Sequence, residues 1–257
     1  MASASVVLLL VALISAICAG SFATPTPTLR IIGGAEAAKD DFPYMVSVRL
    51  DTAHVCGGSI VARNYILTAA HCVSKVQTTP VDVSSVTVRV GSKNQYAGGK
   101  LLPIEEIFIH KSYGSFLYDV ALLKLATNLE LGPKVDIIDL ASEPDVVLPG
   151  NSVVIAGWGR TETSGTNAYK LQHGDAAVIS ASDCENSIGY GYPSVLCVQN
   201  KLGKGACNGD AGGPAVYKNK LVGVGNFVIG ACGTKYPDVY ARVTYFAEWI
   251  NSIIKPQ

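Results

Sequence analysis

The stretch Cys207-Asn208-Gly209-Asp210-Ala211-Gly212-Gly213-Pro214 sets the tightest limits on what this chain can become. Glycines on both sides of Ala211 let the backbone bend sharply and bring amide N–H groups close to a bound carbonyl. Asp210 puts a carboxylate beside that point, and Cys207 can tie the loop to a distant segment. The stretch has the form of a nucleophile loop, yet residue 211 carries only a methyl group. A methyl has no lone pair to attack a carbonyl and no proton to give a base.

The rest of the chain suits a turn-rich β protein. Charged residues make up 16% of the 257 positions, below the quarter typical of soluble domains, and glycine occurs 26 times. Alternating or β-branched runs at Tyr44 to Leu50, Val86 to Val90, Asn151 to Ala156 and Leu221 to Val224 are bounded by Gly, Pro, Asn or Asp. Such short strands favour a sandwich or barrel, in one large all-β domain or two lobes. Phe246, Trp249, Ile250, Ile253 and Ile254 fall at helical spacing before Pro256, which predicts one helix at the end. No repeat of 20 to 50 residues is visible. The formal net charge is zero, so no nucleic-acid or membrane field is indicated.

The start of the chain points to a compartment. Val6 to Ala19 is a short apolar run followed by small residues, as in a signal peptide, although no Lys or Arg lies near Met1. The expected division is a signal peptide over 1–20, a short Pro/Thr-containing propeptide over 21–30, and one domain over 31–257. Outside the leader there are six cysteines: Cys56, Cys72, Cys184, Cys197, Cys207 and Cys232. An even count in a secreted chain implies disulfides, and spacing leaves about 15 pairings open. No Cys-x-x-Cys and no zinc-spaced His/Cys set occurs, so neither a metal nor a cofactor is expected. There is no Asn-x-Ser/Thr site.

Two further strings bear on chemistry. Thr68-Ala69-Ala70-His71-Cys72 places a histidine beside a cysteine, and Asp119-Val120-Ala121-Leu122-Leu123-Lys124-Leu125 begins an apolar strand with an aspartate. Taken singly, these read as a packed loop histidine and a strand-end turn residue. Together with the 207–214 loop they resemble the chymotrypsin/trypsin-like serine protease family. Gly157-Trp158-Gly159 and Pro237-Asp238-Val239-Tyr240-Ala241-Arg242-Val243 extend the likeness over nearly all of the chain from Ile31 onward. That resemblance implies two six-stranded antiparallel β-barrels with the site in the cleft between them. It implies disulfides Cys56–Cys72, Cys184–Cys197 and Cys207–Cys232. His71 would be the general base, Asp119 the residue that fixes its tautomer, and position 211 the place of the nucleophile. The amides of Gly209 and Ala211 would form the oxyanion hole. Leu29-Arg30-Ile31-Ile32-Gly33-Gly34 reads on its own as an ordinary loop or a nicking site. By resemblance it is an activation site, cut after Arg30, whose freed Ile31 amino group pairs with Asp210.

The chain also departs from the family. Ala211 replaces the serine, and no thiol stands in for it. Asn226-Phe227-Val228 occupies the place of Ser-Trp-Gly; Asn226 can still donate a hydrogen bond, and Val228 would narrow the pocket mouth. Gly205 stands where trypsins carry the aspartate at the pocket base, and Asp238 where they carry glycine. Asp238 could draw in a Lys or Arg side chain, or face Val228 and block the pocket; the balance leans to restricted access. The Gly91–Gly99 loop has no carboxylate for calcium. The expectation is a secreted, extracellular, monomeric serine protease homologue without catalysis. It would act by binding extracellular proteins: protease inhibitors, protease substrates or cascade proteases. An active trypsin-like endopeptidase is the alternative, and a scaffold for something other than peptides has no support beyond the versatility of folds.

Overall fold

Twelve strands carry the architecture, six to each of two closed barrels. The structure, a computed structural model, describes residues 31–38 and 41–254. The expected signal peptide, the expected propeptide with Arg30, and Pro256 lie outside the described residues. The first barrel contains β1 (Met45–Leu50), β2 (Ala53–Ala62), β3 (Tyr65–Thr68), β4 (Val86–Val90), β5 (Lys100–Ile109) and β6 (Ala121–Leu125). Its strands pair in the order β1-β2-β3-β6-β5-β4 and close from β4 back to β1. The second contains β7 (Ser152–Gly157), β8 (Gln172–Val178), β9 (Val195–Gln199), β10 (Pro214–Tyr217), β11 (Lys220–Phe227) and β12 (Asp238–Arg242). It runs β7-β8-β9-β12-β11-β10 and closes from β10 to β7. The two barrels therefore share one connectivity, and every pairing around both is antiparallel.

Local pattern explains the strands. In β4, Val86, Val88 and Val90 are buried while Thr87 and Arg89 are half-buried, the alternation a pleated ribbon requires. Strands β1, β6 and β11 are buried on both faces for most of their length. Runs of this kind belong where a barrel wall is covered by the other lobe. The four strands expected with bounds lie within three residues of that expectation at each end.

The terminal helix α2 runs Val243–Ile254, three residues earlier at its start than the apolar spacing predicts. Val243, Phe246 and Ile250 form its buried stripe and join a core that also holds Val216, Leu221 and Val224 of the second barrel. That same cluster is the interior of the first barrel, so helix and interface pack as one unit. A further helix, α1 (Ala181–Ile188), was not expected. Ser180 accepts the Asp183 amide at 3.0 Å as its N-cap, and Gly189 ends it in the left-handed conformation. Those two residues were the available signal. The disulfides are Cys56–Cys72, Cys184–Cys197 and Cys207–Cys232, as the resemblance implies.

Candidate active site

Strand register brings His71 and Asp119 together. Thr68 at the end of β3 pairs with Ala121 at the start of β6, so the residues just beyond these ends become neighbours. His71 lies on a single 3-10 turn, Ala70–Cys72, anchored to β2 by the Cys56–Cys72 bridge. Its Nδ1–H donates to Asp119 Oδ2 at 2.7 Å, and its backbone N–H to Oδ1 at 2.8 Å. Asp119 is fully buried, whereas the imidazole is partly open to the cleft. Both carboxylate oxygens are thus satisfied, which fixes the ring and leaves Nε2 as the basic nitrogen on the cleft side.

The turn carrying Ala211 is built from main chain. Ala211 O accepts from Gly57 N of β2 at 2.7 Å, and Gly212 N donates to Gly225 O of β11 at 2.7 Å. The turn is thereby pinned to both barrels. Gly212 has φ of +76°, and a Cβ there would come within 2.3 Å of Thr68 Oγ1, so only glycine fits. The amides of Gly209 and Ala211 donate to no acceptor among the described residues. They are free for a ligand oxygen. Gly209 is held from behind: its carbonyl accepts from His54 Nε2 at 3.0 Å, and His54 Nδ1 meets Ser47 Oγ at 2.8 Å. Burial drives the His54 pKa down to about 4, so its ring is neutral near physiological pH.

The Asp210 carboxylate occupies a niche walled by Gly157 and Gly159. It accepts the amides of Gly159 at 2.7 Å and Cys207 at 2.9 Å. Burial raises its pKa to about 6 despite these donors. Ile31 is buried in the second-barrel core, and Ile32 bridges to Gly205.

The cleft between the barrels, about 390 Å³, brings His71, Ala211, Gly209, Asn226, Phe227, Val228 and Asp238 to one space. Gly205 sits just behind it. Asp238 is 5% exposed, and its Oδ2 accepts Asn200 Nδ2 at 2.7 Å and Ala206 N at 2.9 Å. A Cβ at Gly205 would lie 2.8 Å from that oxygen, so the missing side chain makes room for the carboxylate. Burial, with the Asp210 charge as a lesser cause, lifts the Asp238 pKa to about 7. The carboxyl group is therefore engaged at the pocket floor; it is not simply turned toward Val228.

Asn226 does not brace Asp119. Its Nδ2 donates instead to Phe116 O at 2.7 Å. Sequence reasoning missed three residues here. Phe116 lies edge-on to His71, with ring centroids 5.9 Å apart, and its only signal was an aromatic three positions before Asp119. His54 and Asn200 act on backbone and carboxylate partners far away in sequence, which no local pattern announces. Cys56, His71 and Cys72 cluster closely enough to suggest metal ligands, but both sulfurs are committed to the disulfide. In the 91–99 loop, the carbonyls of Gln95, Tyr96 and Gly98 accept from Arg49 and Arg89.

Residues 31–250 match the family profile described as Trypsin. Serine protease SP24D of Anopheles gambiae is 38% identical over 226 residues, covering 88% of this chain and 82% of that protein. Hypodermin-B of Hypoderma lineatum is 38% identical over 234 residues, 88% of each. Among solved structures, human heparin binding protein superposes with a TM-score of 0.78 at 26% identity, over 88% of this chain and 98% of that one.

Proposed function

The chain belongs to the trypsin family, and from that premise we propose that it is a secreted serine protease homologue without catalysis, which works by binding other extracellular proteins in its cleft. The observation that carries this reading is the methyl group of Ala211 in an otherwise assembled site. His71 is oriented by Asp119, and two amides are free to hold an oxyanion. In a protease of this design the serine hydroxyl attacks the peptide carbonyl, histidine takes its proton, and an acyl intermediate forms. Ala211 offers no oxygen for that bond. Each described cysteine is in a disulfide, so no thiol replaces it. In a serine protease of another fold, loss of the nucleophile costs about a million-fold in turnover. Binding needs none of the missing chemistry.

The ligand we infer is an extended peptide segment of a protease inhibitor, a protease substrate or a cascade protease. The chain would act as decoy, competitor or cofactor.

A second reading, an active endopeptidase, draws on the relatives named as proteases. Under it, Asp238 would receive a Lys or Arg side chain at the pocket floor. The test is labelling with a serine-directed fluorophosphonate after cleavage at Arg30, beside an Ala211→Ser variant. We expect the native chain to stay unlabelled and the variant to react. Labelling of the native chain would overturn the proposal and favour the protease.

A further inference from the structure

The segment beside His71 is held from the opposite barrel. Ser115, Phe116 and Tyr118 have φ of 49°, 61° and 52°, a region that residues with a Cβ enter only at a cost. Three such residues within four positions persist only where their surroundings over-determine them. One support is local: Gly114 and Leu117 exchange hydrogen bonds of 3.2 and 2.9 Å. Another is apolar: Leu117 packs on the cluster of Cys184, Val195, Cys197 and Val239. The third is the Asn226 carboxamide, which reaches from β11 to the Phe116 carbonyl.

Asn226 is buried, and its Oδ1 finds no hydrogen-bond partner. A buried acceptor without a donor is destabilising, so the side chain sacrifices one end to place the other. What it places is an aromatic wall. The Phe116 ring meets His71 at 5.9 Å and Phe227 at 5.5 Å, both edge-on, and Phe227 in turn meets Tyr190 at 5.0 Å. Phe116 nonetheless remains 47% exposed, so it covers the cleft edge and is not a core residue.

We propose that Asn226 is a latch across the cleft. Its amide holds the strained 114–118 segment in the conformation that lays Phe116 against His71, and so governs how far a bound peptide can reach the imidazole. It is a positioning residue, acting through Phe116. The inference deepens the reading of the cleft as a peptide site and rests on that reading for its purpose, but its test does not depend on turnover.

The test uses the chain cut at Arg30 with Ala211 in place. Asn226→Leu keeps the approximate size and removes the donor; Asn226→Ser is too short to span the gap and serves if the branched side chain prevents folding. Two quantities are read: amide hydrogen exchange over 114–118, and the rate at which diethyl pyrocarbonate modifies His71, with His173 as internal reference. Losing one hydrogen bond should speed exchange about fivefold. The His71 rate should rise by a similar factor, while exchange in β6 stays unchanged. Phe116→Ala should reproduce the faster His71 reaction, and adding Asn226→Ser to it should give no further gain. Native exchange over 114–118 in the Asn226 variants, or faster exchange with an unchanged His71 rate, would overturn the latch. Labelling of the native chain by the fluorophosphonate would overturn the proposed function and leave this result standing on its own data.

Discussion

Replacing Asp238 by asparagine should change how stability depends on pH. Asp238 is buried at the pocket floor, and its pKa rises from 3.8 to about 7 on folding. A raised carboxyl pKa means that the folded state favours the neutral form. Its stabilising contribution is therefore fully present below about pH 4 and is lost as pH climbs through about 7. The shift of roughly 3 units corresponds to about 4 kcal/mol. The carboxamide of the Asp238→Asn variant would keep a carbonyl oxygen for the Asn200 and Ala206 donors while carrying no charge at any pH. Near pH 4 the two proteins should be almost equally stable. At pH 8 the Asp238→Asn chain should be more stable by up to about 4 kcal/mol. Urea unfolding followed by the fluorescence of Trp158 and Trp249 measures both, provided the slope against denaturant is unchanged. Parallel stability curves from pH 4 to 8 would refute the claim that this carboxyl is desolvated.

Asp210 should respond to cleavage. Its pKa of about 6 places the same kind of pH-dependent loss between about pH 4 and 6 in the uncut chain. Cutting after Arg30 gives the Ile31 ammonium as counter-charge, so Tm at pH 8 should rise on cleavage in the native chain and not in Asp210→Asn. Gly159→Ala puts a Cβ 2.4 Å from Asp210 Cγ, and the overpacking should cost about 1–3 kcal/mol in urea unfolding, or prevent folding. Replacing Cys207 and Cys232 together by Ser opens a loop of 25 residues and should cost about 3 kcal/mol by the same assay.

Much of the site was legible because its chemistry sits on short contiguous strings. His71 and Asp119 stand at strand ends that pair directly, so the pattern that marks the strands also places the residues. The repeated barrel connectivity was invisible, since β strands require only alternation and the two lobes meet that requirement with unrelated side chains. Asp238 could be flagged as out of place but not positioned, because its partners Asn200 and Ala206 arrive from another loop. Asn226 was legible as a donor but not in its destination, which depends on a left-handed turn at Ser115 and Phe116, where neither residue type announces a positive φ.

The alanine itself separates fold from chemistry. The hydrogen bonds nearest residue 211 are made by main chain, Gly57 N to Ala211 O, Gly212 N to Gly225 O and Gly213 N to Asp210 O, while the side chains of Asp210 and His54 hold the residues just before it. A hydroxyl at 211 is needed by none of them. Residue 211 is half-buried, packed against the first-barrel cluster on one side and lining the cleft with His71 on the other, so one added oxygen can be taken up on the cleft side. Ala211→Ser should therefore alter unfolding free energy by no more than about 0.5 kcal/mol, the range of substitutions that touch no structural feature. The same change should restore reactivity toward a fluorophosphonate, a chemical difference of many orders of magnitude. A variant that reacts and is equally stable places the loss of catalysis in one side chain. A variant destabilised by several kcal/mol would instead mean that the turn has repacked around the methyl, and that the amides of Gly209 and Ala211 are no longer set for an oxyanion.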